Sequence, residues 1–263
     1  MQGQDTRIHP SAIIDPDASV ADDVRVGAYA VIGAGVEVGS GSEVMNHVTL
    51  MGPTRIGRNN RIYPYASLGH DPQDKKYDGT GTSELQIGDG NVIREFVTIN
   101  RGSPTGGGKT HVGNNNWIMA YCHIAHDCHV GSNTVFANCS TLGGHATVQD
   151  NAILGGFTAV HQFCSVGELV ITGGHTMIAQ DVTPFVNATG NRAKLYGVNK
   201  IGLERNGYSA AEVKAIERAY RLFFRSKLRA EDALQQIEQE LSDFPAVGRF
   251  VSFVRASTRG ICR

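Results

Sequence analysis

The segment Cys122-His123-Ile124-Ala125-His126-Asp127-Cys128-His129 places three imidazoles and a carboxylate within eight residues, and Gly143-Gly144-His145 and His161 follow downstream. Histidine is the side chain whose ordinary proton affinity suits proton removal near neutral pH. A neighbouring carboxylate can orient its ring, and a backbone N–H offered by a glycine pair can hold a developing oxyanion. The set suits acyl transfer to a hydroxyl: a histidine takes the proton, the carboxylate is its partner, and an N–H of the Gly143-Gly144 pair holds the oxyanion. Zinc is the rival use of clustered histidines. A zinc site needs side chains converging on a tetrahedron. An aspartate interleaved as a charge partner argues against one, so no metal is expected.

These groups need a scaffold. An aliphatic residue recurs at every sixth position from Ile8 through Val20, Ile32, Val44 and Ile56 to Leu68; the ladder restarts at Ile87 and again at Val112, and runs to Ile178 with Thr172 as an exception. A small or β-branched residue, such as Ala12, Ala30 or Val36, often stands four positions later. A period of six fits neither the 3.6 of a helix nor the two of a strand. It fits a short strand and a tight turn repeated as a parallel β-helix. Three hexapeptides make one triangular coil, so residues eighteen apart stack. That ruler puts His145 over Asp127 and Gly144 over His126, and leaves His123 and His126 flanking Ile124 at exposed positions near a turn.

The phase of the ladder changes twice, marking inserts at about 70–86 and 101–111. Loops that leave a rigid coil are common sites for binding groups. Gln73-Asp74-Lys75-Lys76-Tyr77 reads as a charged arm that could close over a polar, phosphorylated substrate. Gly102–Thr110 is glycine-rich like a phosphate loop, but five residues separate Gly102 from Gly108 and no helix-forming segment follows. It reads as a flexible insert.

A net charge of −1 gives no reason to expect nucleic acid or a charged membrane surface as a partner of the whole protein. No apolar run reaches the length of a membrane span, and the start MQGQDTRIHP lacks a signal-peptide pattern. The five cysteines form no CxxC pair, and Cys122, Cys128 and Cys164 occupy the small-residue slot, so buried reduced thiols and a cytoplasmic protein are expected.

The hexad pattern stops near Pro184, which divides the chain into a coil domain at 1–190 and a helical domain at 191–263. Ser209-Ala-Ala-Glu212 is a capping box opening a helix through Val213, Ile216 and Tyr220. A second helix carries Leu234, Ile237 and Leu241 and is expected to end at Pro245. A short third one carries Phe250, Val251 and Val254. Such a tail would cover the open edge of the last coil. Arg218, Arg221 and Arg225 form a stripe on the first of these helices, either a solvated face or a docking site for an acidic protein.

IAHDC at 124–128, GGFTAVHQFC at 155–164, AQDV at 179–182, GLERNGYS at 202–209 and the closing STRGICR together resemble the acyl-[acyl-carrier-protein]–UDP-N-acetylglucosamine O-acyltransferases, which begin lipid A synthesis in Gram-negative bacteria. The resemblance spans the whole chain. It implies a mainly β protein, a left-handed parallel β-helix with a C-terminal helical domain, assembled as a homotrimer with each site between two subunits. The usual handedness of parallel crossovers would be right-handed, so left-handedness rests on the resemblance alone. The implied donor is a 3-hydroxyacyl thioester on the phosphopantetheine of acyl carrier protein, with no separate cofactor, and the acceptor is the glucosamine 3-hydroxyl of UDP-N-acetylglucosamine.

The resemblance places His126 at the general-base position, with Asp127 beside it and Gly144 N–H holding the thioester oxygen. It places His123, His145, His161 and Gln162 against substrate, Asp74 and Lys76 on the sugar and phosphate, and Asn199 and Arg205 on the nucleotide of the neighbouring subunit. Gly174 falls where acyl length is measured. Asn100, Ile201 and Asn206 depart from the family pattern. The N-acyltransferase of the same pathway would carry a further N-terminal domain. A coenzyme A acetyltransferase would not need the arginine helix. A scaffold or ice-binding solenoid would show flat threonine arrays in place of the histidines.

Overall fold

The computed structural model describes residues 7–263; residues 1–6, which open the stretch read for a leader, lie outside them. From Val26 to Ile178 every rung residue is buried, and together they form one continuous core. The removal of each such aliphatic side chain from water contributes about 1.5–3 kcal/mol. Thr172 keeps its place in the ladder because its hydroxyl pairs with that of Thr158 at 2.8 Å and accepts the Gly155 N–H at 2.8 Å.

The rungs form three parallel sheets that the chain visits in turn. One has nine strands, from Ile13–Ile14 to Met177–Ile178; the next has eight, from Ser19–Val20 to Ser165–Val166; the third has ten, from Arg25–Val26 to Lys194–Val198. Pairings such as Ile124 with Leu142 and Leu142 with Val160 confirm the eighteen-residue coil. Ser67 pairs with Thr98 and Thr98 with His123, so the coil resumes in register after each insert.

The prism has three corners. Between the ten- and nine-stranded sheets, Tyr29, His47, Tyr65, Phe96 and Tyr121 stack with ring centroids 4.9–5.2 Å apart. Between the eight- and ten-stranded sheets runs a buried asparagine ladder. Asn60 Oδ1 accepts the Asn91 N–H at 2.9 Å, Asn91 Oδ1 the Asn116 N–H at 2.9 Å, and Asn116 Oδ1 the Thr134 N–H at 2.8 Å. Between the nine- and eight-stranded sheets lie both inserts and the turns that carry His126, Asp127, Gly144, His145, His161 and Gln162.

The expected boundary at 190/191 falls inside a hairpin. Val186–Thr189 and Lys194–Val198 pair antiparallel and complete the ten-stranded sheet, a feature the hexad pattern does not carry. Four helices follow: α1 (Lys200–Arg205), α2 (Ala210–Arg225), α3 (Ala230–Leu241) and α4 (Pro245–Ala256). The Ser209–Glu212 capping box is present. Pro245 does not end the second helix of the sequence reading; it opens α4, where its missing N–H costs nothing. That third helix is also not short, matching α3 at 12 residues. The coil's open end is covered mainly by extended chain. Met177 N–H donates to Gly190, and Asp181 bridges to Ile261. The helices pack beyond, on Leu169 and Phe185. Among the described residues no helix is long and apolar enough to cross a membrane.

Candidate active site

The short strand His123–Ile124 ends at the corner that both inserts leave, and the next four residues turn there. Asp127 takes the left-handed turn conformation (φ 59°), which a short polar side chain tolerates. This turn aims the carboxylate back at its neighbour. Asp127 Oδ2 lies 2.7 Å from His126 Nδ1, and the Asp127 side chain is 1% exposed. An ionised carboxylate only accepts, so Nδ1 carries the proton and Nε2 is left with its lone pair.

One coil on, Gly144 packs against that lone-pair edge. A Cβ built on Gly144 would stand 2.8 Å from His126 Nε2 and Cε1, so no other residue fits without displacing the ring. The Gly144 N–H has no hydrogen-bond acceptor among the described residues. His145 sits over Asp127 as the eighteen-residue ruler requires, with Nε2 3.9 Å from Oδ2. Its ring meets His126 edge-on and stacks on Phe163 at 4.3 Å.

His123 and His126 are half-buried, not exposed as the turn position suggested, because the inserts and the neighbouring coils stand around them. His123 Nδ1 contacts Thr98 Oγ1 at 2.7 Å. Burial, and then the proximity of His126, hold the His123 imidazole below its usual proton affinity. His161 and Gln162 lie one coil beyond Gly144 on the same corner and are exposed, with Arg259 of the C-terminal strap 3.4 Å from His161 Nδ1.

The second insert is not a loose loop. Ser103 donates to Asp127 twice, through N–H to Oδ1 at 2.9 Å and through Oγ to Oδ2 at 2.6 Å. The inserts are also tied to each other. Asn100 Nδ2 donates to the Asp71 carbonyl at 2.8 Å, Arg101 pairs with the Asp71 carboxylate, and Ser83 Oγ donates to Gly102 O at 2.7 Å. Asn100 Oδ1 is buried and has no hydrogen-bond partner among the described residues. The first insert keeps Asp74 half-buried, with its Oδ1 accepting the Lys76 N–H at 3.0 Å, while Lys76 itself is exposed.

Other candidates lie apart. Gly174 is on the aromatic corner, across the nine-stranded sheet from His126, and a Cβ there would touch only Gly156 O at 3.5 Å. Asn199 is 3% exposed; its Oδ1 caps α1 through the Gly202 N–H at 3.0 Å and its Nδ2 donates to Leu169 O at 2.8 Å. Arg205 ends α1 in the open. Arg218 pairs with Glu240 at 3.1 Å, and Arg225 lies over the Tyr220 ring at 5.9 Å. Arg221 has no carboxylate partner among the described residues. Ile201 is 63% exposed, and Asn206 closes α1 through Gly202 O at 2.8 Å.

His126, Asp127 and His145 could bring ligand atoms within 4.8 Å of one another. However, Asp127 already spends its oxygens on His126 and Ser103. A cavity of about 630 Å³ lies elsewhere, between the eight-stranded sheet and α4. It is lined by His129, Thr147, Glu168 and Arg249 and contains none of the residues around His126.

Residues 181–262 match the family described as "Udp N-acetylglucosamine O-acyltransferase; Domain 2", and 5–40 and 109–144 match "Bacterial transferase hexapeptide (six repeats)". The chain is 49% identical over 258 residues to the acyl-[acyl-carrier-protein]–UDP-N-acetylglucosamine O-acyltransferase of Halorhodospira halophila, covering 98% of this chain and 100% of that one. The chain belongs to the UDP-N-acetylglucosamine O-acyltransferase family. The family's solved structures share the fold throughout. That of the Moraxella catarrhalis enzyme has a TM-score of 0.95 at 41% identity, and that of the Acinetobacter baumannii protein has 0.95 at 40%; each match covers 98% of this chain and 100% of the other.

Proposed function

We propose that this chain transfers an (R)-3-hydroxyacyl group from the phosphopantetheine thioester of acyl carrier protein to the 3-hydroxyl of UDP-N-acetylglucosamine, the opening step of lipid A synthesis. The observation that carries the chemistry is the His126–Asp127 contact of 2.7 Å with Gly144 packed on the opposite side of the ring. His126 Nε2 takes the hydroxyl proton as the oxygen attacks the thioester carbonyl. Asp127 stabilises the imidazolium that forms, and Gly144 N–H receives the oxyanion. Collapse breaks the carbon–sulfur bond, and the departing thiolate takes the proton from His126. No metal enters this scheme.

His123, His145, His161 and Gln162 line the same corner and contact the sugar and the thioester arm. Asp74 and Lys76 approach the sugar and diphosphate from the first insert. Asn199, which also caps α1, and Arg205 reach a nucleotide from a neighbouring copy. The exposed Tyr29, Tyr65, Phe96 and Tyr121 on the aromatic corner support a homotrimer, since rings in an unbroken row are a surface that water covers poorly. In such an assembly Gly174 would measure the acyl chain from across the interface, and its missing side chain would leave room for a long one. Among the described residues Arg221 has no carboxylate partner, which suits it to the carrier-protein stripe with Arg218 and Arg225 beside it. Free Cys122, Cys128, Cys139, Cys164 and Cys262 suit the cytoplasm.

One assay tests the reading. Purified protein is given a series of 3-hydroxyacyl carrier thioesters with UDP-N-acetylglucosamine, with and without a chelator. Ester formation unchanged by the chelator is expected, and its abolition would replace the histidine-base scheme with a metal one. In the same assay Arg221→Glu raises KM for the carrier thioester by about 10-fold and leaves the nucleotide-sugar KM alone. An unmoved KM returns the stripe to an ordinary solvated surface.

A further inference from the structure

Asp127 receives three donors, and two come from one residue of the second insert. Ser103 is 2% exposed, and its N–H and Oγ–H reach Oδ1 and Oδ2 at 2.9 and 2.6 Å. The third is His126 Nδ1–H on Oδ2. Ser103 is itself fixed, because its carbonyl accepts the N–H groups of Gly106 at 2.9 Å and Gly108 at 2.8 Å. The short turn Pro104–Gly106 folds back over the pair. A Cβ on Gly106 would overlap both the Asp127 carboxylate and the His145 ring, so the backbone seals the carboxylate from water and only glycine fits. On the other side the Asp127 N–H donates to Thr110 Oγ1 at 2.8 Å. The insert thus holds Asp127 by its carboxylate at one end and by its backbone N–H at the other.

We infer that Ser103 is a positioning residue for acyl transfer: it clamps the Asp127 carboxylate so that His126 holds its proton on Nδ1 and accepts the substrate's proton on Nε2. The inference rests on the general-base reading of His126. A buried carboxylate with too few donors either rotates toward a better arrangement or admits water. Here the Ser103 N–H fixes one oxygen, and the hydroxyl shares the other with the imidazole. That sharing also spreads the negative charge facing His126.

The remaining titratable groups around the pair leave this picture intact. His145 Nε2 stands 3.9 Å from Oδ2, and His123 interacts with His126 by charge alone. Burial, against which backbone hydrogen bonds work and to which the Asp127 charge adds, pushes the Cys128 thiol up to about 12, so it stays neutral. Lys109, the cation of the second insert's exit, is paired with Glu84 at 3.2 Å.

The test compares Ser103→Ala, Ser103→Thr and Ser103→Cys in the full-length protein by pH-dependent kinetics. Ser103→Ala lowers kcat about 10- to 100-fold, the scale of losing a supporting contact to a reacting group. KM for both substrates stays unchanged, because Ser103 is buried behind the pair. The acid limb of the kcat/KM profile moves to higher pH, since the unshared carboxylate charge favours the imidazolium. Ser103→Thr keeps the hydroxyl and restores both readouts. Ser103→Cys, a weaker donor of similar volume, falls between, and decides the matter should the alanine variant not fold. A lower kcat with an unmoved acid limb and no rescue by threonine would reduce Ser103 to scaffold, as would a cysteine variant equal to the parent. His126→Ala is run alongside. If it keeps its rate, the base assignment fails; if it loses its rate while Ser103→Ala does not, the Ser103 inference alone fails.

Discussion

The histidine corner and the asparagine corner turn the same coils, yet they carry opposite kinds of polar group. At the asparagine corner every turn has the same length, and the amides of Asn60, Asn91 and Asn116 face inward. Each binds the next coil and also donates to a glycine carbonyl, at Gly88, Gly113 and Gly131, at 2.9–3.0 Å. At the histidine corner the turn lengths vary, two inserts depart, and the polar groups bind one another while His126 Nε2 and the Gly144 N–H are left uncommitted. One corner uses up its hydrogen-bonding capacity on register; the other holds capacity back for a ligand. Burial alone does not make a polar cluster functional. The distinction is whether its donors and acceptors are all spent.

The largest effect separates the corners by activity. His126→Ala should lower kcat by about 1,000-fold or more, while the melting temperature stays within a degree or two of the parent. A large loss of stability would mean that the histidine corner also carries register. The reverse experiment is Asn91→Ala, which strands the Asn116 N–H and the Gly113 carbonyl inside the coil. It should cost about 3 kcal/mol, read as a lower urea midpoint, with kcat per folded molecule unchanged. A loss of turnover without a loss of stability would erase the contrast.

The smallest effect concerns pH. Burial, followed by the charges of His129 and Lys109, holds the His111 imidazole below its usual proton affinity, and burial does the same to His123. Between about pH 6.5 and those lower folded values the unfolded chain binds more protons than the folded one. Stability is therefore full above that window and falls as the pH drops through it. His111→Gln should flatten this slope by a few degrees of melting temperature between pH 7.5 and 5. Asn91→Ala should lower the whole curve without changing its slope, because the asparagine ladder contains nothing that titrates.

The sequence made the coil legible because a six-residue period repeated over most of the chain has one structural solution. The eighteen-residue ruler then carried His145 to Asp127 and Gly144 to His126 without further information. What it missed lies where no period operates. Ser103 meets Asp127 across 24 positions of chain that includes the second insert, and a loop's path cannot be read from rung spacing. The hairpin of Val186–Thr189 and Lys194–Val198 has no hexad signature. The six-residue α1 is too short to show a helical face, although Asn199 ahead of it was a legible cap. Pro245 was misread because proline punctuates helices at either end, and only the apolar residues after it mark the start.

The way the coil rejoins its register after each departure separates the two excursions as engineering targets. The segment between His70 and Glu84 could be exchanged for a foreign recognition loop, retargeting the acceptor while the rungs on either side continue to zip together. The stretch between Asn100 and Lys109 offers no such freedom, because a transplant there would remove the brace behind Asp127 along with the loop.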